Sequence, residues 1–396
     1  MSTLKIQASL DWPLMNRHVN DEDFEVLIEF LKKKPRLTQS SHVEAFEKAW
    51  SEWLGTRHSL MVNSGSAANL ISLAALRESA GTGEVIVSPL NWVSDILSVI
   101  WMGFKPVFVD IDPKTLGMDN AAIQKAVTPQ TRAVILTHIM GFSAFTSDLA
   151  GDLKKKNIWL IEDTCESYGA SFKDKKLGSL GTLSNFSFYF GHPLTTIEGG
   201  MVSTNDEKLY QMLRMMRAHG MVRESTSAAV REEFEKAHPD LHPEFIFAYA
   251  GFNMRSTEIQ AVLGGHQLKR LDREIQLRNR QYSLFLEGLD PKKFYTEFRK
   301  EGMSNYGFVL VVREPDRVLQ KRVVQVLQEE GVEFRRGMSG GGNQLRQPYL
   351  KKLLKNPRPE AFPHVEHVHH FGFYFGNYPE ISSEKIQRLS ERLNDA

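Results

Sequence analysis

Cysteine is nearly missing from this chain, which has one cysteine, Cys165, among 396 residues. One cysteine cannot form an intrachain disulfide, and it cannot build an all-cysteine zinc or iron–sulfur site within the chain. No apolar run approaches the roughly 20 residues that a membrane-spanning helix needs. Residues 1–14 lack a charged leader followed by an apolar core, so we predict no secretory signal. These absences favour a cytoplasmic protein without structural disulfides.

An excess of either charge is also missing, since 49 basic residues stand against 48 acidic ones and the formal net charge is +1. This balance gives no electrostatic reason to expect nucleic acid or an acidic membrane as a partner. The hydrophobic fraction of 41% is ordinary for a globular protein with a sizeable core. The length suits a large domain and a smaller one, which we place at residues 1–265 and 266–396.

Short apolar strands alternate with helical patterns in the first half of the chain. The predicted strands are residues 59–62, 85–88, 106–109, 133–137, 158–161, 185–188 and 200–203. Helical patterns lie between the earlier strands, at residues 67–78, 93–102 and 147–155. This alternation predicts an α/β fold with a mainly parallel sheet covered by helices on both faces. Two helices precede the sheet, and the second begins with Ser41 and Glu44 at the spacing of a capping box.

The second half of the chain has a different pattern. The polar stretch 223–243 is predicted to be a loop or an insertion, and a long amphipathic helix over residues 256–289 leads out of the large domain. The remainder contains few strands, one of them at 307–312, and two predicted helices at 317–330 and 383–394. We interpret it as a smaller α+β domain.

Three chemical features follow predicted strands, where ligands of an open parallel sheet collect. Small residues at 63–69 begin a helix and could bind a phosphate, although small residues at a strand–helix turn more often serve packing or capping. Asp163 ends a buried strand and could hold a protonated ring nitrogen, or it could cap a helix or form a structural salt bridge. His192 lies in a loop after another strand, where a lone histidine is usually structural.

Taken together and in this order, these features resemble the sugar aminotransferase family of enzymes that depend on pyridoxal 5′-phosphate (PLP). The resemblance extends from about residue 36 to the C-terminus. Its specific parts are residues 63–67, 106–112, 162–169, 198–202 and 251–255. It implies the aspartate-aminotransferase fold, PLP fold type I, with a smaller α+β domain at the C-terminus.

The resemblance also implies the roles of individual residues around the cofactor. Gly65, Ser66 and Ser187 match residues that bind the cofactor phosphate. Asp163 matches the partner of the pyridine nitrogen. Trp92 takes the place of the aromatic ring that stacks on the cofactor, a contact suited to two flat π systems.

Two further residues complete the expected cofactor site. Glu166 is close enough in sequence to Asp163 to line the same pocket. Asn253 matches a residue that reaches the cofactor phosphate of the neighbouring subunit. The resemblance therefore implies a homodimer with shared active sites.

The chain departs from the family at His192, where the aminotransferases have lysine. Lysine supplies the primary amine that bonds to the PLP aldehyde and then shuttles protons. Imidazole has no such amine, but with an ordinary pKa near 6.5 most of it is neutral at pH 7.5. His192 can therefore act as a base that takes a proton from the C4′ carbon of the cofactor.

This departure is similar to a subgroup of the family, the nucleotide-sugar 3-dehydratases, which use pyridoxamine 5′-phosphate (PMP). One branch acts on CDP-sugars with a cysteine-ligated iron–sulfur cluster and a reductase partner, and the single Cys165 excludes that cluster. The other branch acts on GDP-4-keto-6-deoxy-D-mannose on the way to colitose. The resemblance then implies loss of the C3 hydroxyl, release of ammonia, and L-glutamate as amino donor.

Residues 339–343 and 346–348 resemble a segment of these dehydratases, so Asn343 and Arg346 are predicted substrate contacts. A flexible surface loop is the alternative interpretation of this glycine-rich segment. The histidines between His364 and His370 have spacings that metal sites use, but the neighbouring aromatic residues indicate a strand of the small domain. We therefore expect no metal.

Two other functions stay open at the level of sequence. The first is an ordinary PLP-dependent nucleotide-sugar aminotransferase, with a lysine recruited from elsewhere or a lysine-to-histidine change at residue 192. The second is a regulator that binds PLP without turnover. The fate of the substrate nitrogen distinguishes the first from a dehydratase, since a transaminase leaves it on the sugar.

Overall fold

The computed structural model describes residues 11–16 and 19–396 of the chain. Its main sheet has seven strands in the order β1-β9-β8-β5-β4-β2-β3. The strands in the first part of the chain are β1 (His58–Val62), β2 (Glu84–Val87), β3 (Lys105–Phe108), β4 (Thr131–Thr137), β5 (Trp159–Asp163), β6 (Ser171–Phe172), β7 (Lys175–Lys176), β8 (Leu183–Ser187) and β9 (Gly200–Thr204). Strands β6 and β7 form a separate small hairpin.

The prediction of a mainly parallel sheet is confirmed. Strands β3, β2, β4, β5 and β8 pair in parallel, and β9 runs antiparallel to both β8 and β1. The helices around and between these strands are α1 (Asp21–Lys32), α2 (Ser41–Leu54), α3 (Gly65–Ala80), α4 (Val93–Trp101), α5 (Asn120–Ala126), α6 (Leu149–Lys155), α7 (Glu207–Arg217) and α8 (Ala228–Ala237). Apolar helix and strand faces bury each other, as the alternating pattern requires.

The predicted capping box at the start of α2 is wrong. The helix begins at Ser41 with Ser40 as its N-cap, and the Ser40 side chain makes no capping hydrogen bond. Instead the buried carboxylate of Glu258 accepts hydrogen bonds from the backbone N–H groups of Ser40, His42 and Val43. A carboxylate from elsewhere in the chain therefore satisfies this helix end and complements its dipole.

The prediction of a loop over residues 223–243 is also wrong in part, because the segment contains α8. The Ser227 side chain accepts the N–H of Val230 and caps the helix. None of the α8 residues is buried, although Val230 and Phe234 pack against a small apolar cluster. A helix with so few apolar contacts leaves little periodicity in the sequence.

The C-terminal part contains a three-stranded antiparallel sheet in the order β10-β12-β11. Its strands are β10 (Gly307–Val311), β11 (Phe334–Arg336) and β12 (Gly372–Gly376). Its helices are α9 (Glu258–Gly288), α10 (Arg317–Glu329), α11 (Pro348–Leu353), α12 (Pro363–Phe371) and α13 (Ser383–Asn394). The predicted α+β character is confirmed. The predicted aromatic strand exists as β12, whereas the histidines before it lie on α12.

Helix α9 connects the two cores. Leu271 and Ile275 pack with the helices beside the large sheet, while Tyr282 and Phe285 pack in the core of the small sheet. The domain boundary at residue 265 stays a prediction. In the described ranges, 11–16 and 19–396, no helix is long and apolar enough to cross a membrane.

Candidate active site

A cavity of about 630 Å³ lies where the carboxyl ends of the parallel strands face the small domain. Seven of the ten predicted site residues line it: Gly65, Ser66, Trp92, Asp163, Glu166, Ser187 and His192. These residues are distant in sequence and come from the ends of different strands and the turns that follow them. The topology of an α/β sheet brings such turns to one edge, so these seven residues lie together there.

Close packing of glycines shapes one end of the cavity. A Cβ atom on Gly65 would lie 2.5 Å from the Cβ atom of Ser187, and one on Gly200 would lie 2.4 Å from the Ser64 carbonyl oxygen. The Ser64 side chain accepts the N–H of Ala67 and fixes the first turn of α3. The N-terminus of this helix therefore points its backbone N–H groups and its positive dipole end at the cavity. This cradle fits a phosphate.

Asp163 ends β5 on the floor of the cavity. Its side chain is buried, its Oδ1 atom accepts the backbone N–H of Cys165 at 2.9 Å, and its Oδ2 atom lies 3.4 Å from Nδ2 of Asn69. No lysine or arginine in the described part of the chain forms an ion pair with it. A buried carboxylate without a cation is well suited to hold the protonated ring nitrogen of a cofactor.

His192 stands on the loop after β8, and its backbone N–H donates to the Tyr189 carbonyl oxygen at 2.9 Å. Its ring lies 5.5 Å from the ring of Tyr306, measured between centroids. Burial lowers the pKa of His192 to about 4, and the charge of Asp163 only partly opposes this shift. The Nδ1 atom is buried and has no hydrogen-bond partner among the described residues. The imidazole is therefore neutral at ordinary pH and can accept a proton.

Glu166 joins the two domains at the cavity. Its carboxylate accepts the backbone N–H of Met140 at 3.0 Å and the hydroxyl of Ser339 at 2.8 Å. Burial raises the pKa of Glu166 to about 7, although these two hydrogen bonds oppose the shift. A carboxyl group in this range exists in both protonation states near neutral pH.

Trp92 stands at the mouth of the cavity, where it is the N-cap of α4 and 54% of its surface is exposed. Asn253 is also exposed, but it does not line the cavity of the single chain. Its backbone forms a bridge with Ala218. The indole face is thus available to a flat ligand, whereas contact of Asn253 with a neighbouring subunit stays a prediction.

Asn343 and Arg346 lie outside the cavity lining. Asn343 is buried, and its Nδ2 atom donates to Glu366 Oε1 at 2.8 Å. Arg346 donates from Nε to the same oxygen at 2.8 Å. The Glu366 carboxylate thus holds both side chains, and their contact with substrate stays a prediction.

Several cavity residues were missed from the sequence. Arg278 of α9 is almost fully buried, and its Nε and Nη1 atoms have no hydrogen-bond partner in the described chain. Its spacing of three from Ile275 and four from Tyr282 puts it on the apolar helix face, which is the signal that could have revealed it. Tyr306, Arg335, Arg336 and Ser339 come from the small domain, and only the fold brings them to this cavity.

The histidines of α12 contact different groups. The His367 Nε2 atom lies 2.8 Å from the Val312 carbonyl oxygen, and the His369 Nδ1 atom accepts the N–H of Asn343 at 3.2 Å. Within residues 11–16 and 19–396, no three His, Cys, Asp or Glu side chains are grouped so that they could hold a metal ion.

Known proteins resemble this chain, and some of them do so over nearly its whole length. A GDP-4-keto-6-deoxy-D-mannose 3-dehydratase from Yersinia pseudotuberculosis is 30% identical, over 96% of this chain and 97% of its own. The Escherichia coli GDP-4-keto-6-deoxy-D-mannose-3-dehydratase, solved with bound hydrated PLP, superposes with a TM-score of 0.86 at 28% identity and covers 97% of this chain and 99% of its own. A GDP-perosamine synthase from Caulobacter vibrioides is 35% identical over 59% of this chain and 58% of its own.

The profile of one enzyme family covers residues 18–394 of this chain. The expected PLP fold type I is confirmed by the same relatives. The chain therefore belongs to the DegT/DnrJ/EryC1/StrS aminotransferase family.

Proposed function

We propose that this protein is a PMP-dependent 3-dehydratase of a nucleotide-activated 4-keto-6-deoxyhexose, with GDP-4-keto-6-deoxy-D-mannose as its substrate. The observation that carries the proposal is His192, a neutral imidazole that lines the cavity at the position where family aminotransferases have lysine. An imidazole can move a proton but cannot bond covalently to the aldehyde of PLP.

The residues of the cavity fit the cofactor, which is PLP in its aldehyde and amine forms. The N-terminus of α3 at Gly65 and Ser66, with Ser187 beside it, would hold the phosphate. Trp92 would cover one face of the ring, and Asp163 would hold the ring nitrogen. When bound, the cofactor supplies an electron sink that weakens bonds at the carbon atoms attached to its amine nitrogen.

His192 then has one task, which is to remove and return the proton at C4′. Departure of the C3 hydroxyl of the sugar needs this proton removed first, and the burial of His192 keeps the imidazole ready to accept it. After the C3 hydroxyl has left, the sugar is released as an enamine, and water hydrolyses its C4–N bond to give the 4-ketone and ammonia. L-glutamate supplies the amino group for the next cycle, and His192 handles the proton at C4′ again.

Positively charged side chains on the cavity wall favour the binding of an anionic substrate. Arg335 and Arg336 of β11 both line the cavity, and their guanidinium groups suit the diphosphate of a nucleotide sugar. Arg278 offers N–H groups that no described residue accepts, deeper in the same cavity. The Yersinia and Escherichia coli relatives, which are named for a GDP-linked substrate, support the choice of GDP.

A homodimer is part of the proposal. Trp92, Tyr189, Phe190 and Ile197 are exposed apolar side chains near the cavity mouth, where a second subunit would cover them. Asn253 of one subunit would then reach the cofactor phosphate of the other. We also propose that the enzyme is cytoplasmic and acts in the pathway to colitose, a sugar of bacterial O-antigens.

A nucleotide-sugar aminotransferase is the second candidate, because the Caulobacter vibrioides relative is named a GDP-perosamine synthase. The two functions differ in where the nitrogen goes. An aminotransferase delivers a 4-amino sugar and releases no ammonia, whereas the dehydratase delivers a 4-keto-3,6-dideoxy sugar and one ammonia per turnover.

The test supplies purified protein with GDP-4-keto-6-deoxy-D-mannose, PLP and L-glutamate. We expect a 3-deoxy sugar by NMR and an equal amount of ammonia. His192→Asn should abolish turnover while PLP still binds, and His364→Asn, on the exposed face of α12, should behave like wild type. Formation of a 4-amino sugar would favour the aminotransferase, and cofactor binding without any product would leave only a binding role.

A borohydride reaction tests the missing covalent bond separately. Reduction of the PLP-loaded protein should leave the wild type without covalently attached cofactor in a mass spectrum. His192→Lys introduces the amine that the family uses, so we expect borohydride to add one reduced PLP to that variant. Labelling of another lysine in the wild type would contradict the proposed role of His192.

A further inference from the structure

A second carboxyl group lies beside Asp163 and is buried more deeply. Asp95 belongs to the first turn of α4 and has no exposed surface, whereas Asp163 is 4% exposed at the cavity wall. One amide contacts both, because the Asn69 Nδ2 atom donates to Asp95 Oδ1 and lies 3.4 Å from Asp163 Oδ2. The two carboxyl groups therefore lie close together, each within reach of the same amide nitrogen. A direct hydrogen bond between them requires a proton on one of the two.

No cation compensates this pair. Within residues 11–16 and 19–396, no lysine or arginine forms an ion pair with Asp95 or Asp163. Burial raises the pKa of Asp95 well above its usual range, and the charge of Asp163 raises it further. The other titratable groups whose charges interact with Asp95 are Cys165, after β5, and Tyr349 on α11, and neither can be positive. Two buried carboxyl groups this close to each other, without a cation beside them, favour a state in which one of them keeps its proton.

We propose that Asp95 is a positioning residue: as the protonated member of this pair, it donates a hydrogen bond to Asp163 and holds that carboxylate ionised and aimed at the cofactor ring nitrogen. The proposal rests on the placement of Asp163 at that nitrogen in the proposed function. An ionised Asp163 keeps the ring nitrogen protonated, and the protonated ring is the form that withdraws electrons. Asp95 thus acts through Asp163 without contacting the cofactor.

The surrounding hydrogen bonds hold the pair in one arrangement. The Thr137 hydroxyl donates to Asp95 Oδ2 at 2.9 Å. The Asn69 amide cannot rotate by 180°, because its Oδ1 atom accepts a hydrogen bond from Asn185 Nδ2 at 2.9 Å. Both oxygens of Asp95 thus have fixed neighbours, which keep its carboxyl group against Asp163.

The test loads the protein with PLP that carries nitrogen-15 in its ring and follows the NMR shift of that nitrogen across pH. The variants are Asp95→Asn, Asp95→Ala and Asp163→Asn. The Asp95→Asn side chain is neutral and can still donate to Asp163, so we expect the wild-type titration. Asp95→Ala removes the hydrogen-bond donor to Asp163. We therefore expect the ring nitrogen to lose its proton at a pH about one unit lower than in wild type, which is a tenfold change in proton affinity.

The outcomes separate this inference from the proposed function. If the ring nitrogen titrates in Asp95→Asn as it does in Asp95→Ala, the negative charge of Asp95 matters. The proposal that Asp95 is protonated would then be overturned. An unchanged titration of Asp95→Ala, beside an altered Asp163→Asn, would overturn the pair alone. An unchanged titration of Asp163→Asn would remove Asp163 from the ring nitrogen and overturn both.

If Asp95→Ala does not fold, the free energy of unfolding of the cofactor-free wild type and of Asp95→Asn gives a second measurement. A carboxyl group whose pKa is raised by folding stabilises the fold below its unfolded pKa, and this contribution is lost as the pH rises. We expect Asp95→Asn to gain stability relative to wild type as the pH rises from about 4 to about 8. A stability difference that does not change with pH would overturn the proposal.

Discussion

The hydroxyl of Tyr306 donates a hydrogen bond to the carbonyl oxygen of Gly191 at 3.2 Å. Gly191 precedes His192 on the loop after β8, whereas Tyr306 belongs to the segment that enters the small domain just before β10. The bond is partly buried beside the cavity, and the Tyr306 ring also contacts the His192 ring. Tyr306 therefore contacts both the loop that carries His192 and the imidazole ring itself.

Tyr306→Phe is the first variant to examine. Removal of one hydrogen bond of about 0.5–1.5 kcal/mol should loosen the His192 loop and slow proton transfer roughly threefold to tenfold. The measurement is the rate at which L-glutamate converts the PLP form to the PMP form, followed by cofactor absorbance. The affinity for PLP should stay unchanged. Tyr295→Phe, which removes a hydroxyl outside the cavity, serves as the control, and equal rates for both variants would contradict the role of Tyr306.

The pH dependence of the same reaction should reveal the state of His192. Burial lowers the pKa of His192 to about 4, so the imidazole stays neutral as the pH falls through its ordinary value near 6.5. We expect the rate of a single turnover to show no fall attributable to a histidine until the pH is below about 5. The profile of His364→Asn should overlay that of wild type. A fall centred near 6.5 would show that the pKa of His192 is not lowered.

Glu166→Gln should change how stability depends on pH. Burial raises the pKa of Glu166 to about 7, so the carboxyl group stabilises the fold fully below its unfolded pKa and loses that contribution as the pH rises toward 7. The variant avoids this loss, so its stability in urea relative to wild type should rise by roughly 3 kcal/mol between pH 4 and pH 8. The exposed Glu391→Gln should give a constant difference. A constant difference for Glu166→Gln as well would show that Glu166 is ionised throughout.

Gly65→Ala tests the phosphate cradle. The added Cβ atom would lie 2.5 Å from the Ser187 Cβ atom, so α3 and β8 must separate. We expect a loss of about 1–3 kcal/mol in stability and a PLP affinity at least tenfold weaker, roughly the effect of overpacking a close contact. Gly265→Ala on α9 is the matched control, since its Cβ atom meets nothing within 4 Å and should stabilise the helix by about 0.5–1 kcal/mol. Wild-type PLP affinity in Gly65→Ala would contradict the cradle.

Much of the large domain could be predicted because its signals are local. All seven predicted strands appear in the main sheet, since buried parallel strands are short apolar runs that turn residues interrupt. The turns after these strands meet at one edge, so the order of motifs was enough to bring Gly65, Asp163 and His192 together. The end of α2 could not be predicted in this way, because Glu258 is more than 200 residues away from it.

The chain order of strands, helices and turn residues determined the α/β fold, the cavity edge and the presence of an imidazole in place of an amine. Tertiary structure alone decided that Arg278 and Tyr306 complete that edge and that Asp95 lies buried behind it. Their roles depend on burial and on neighbours that are far away in the sequence. A carboxyl or guanidinium group is the same in the sequence whether water or another buried group surrounds it. Burial and contact set the charge state and the partners of these side chains, and both exist only after the chain has folded.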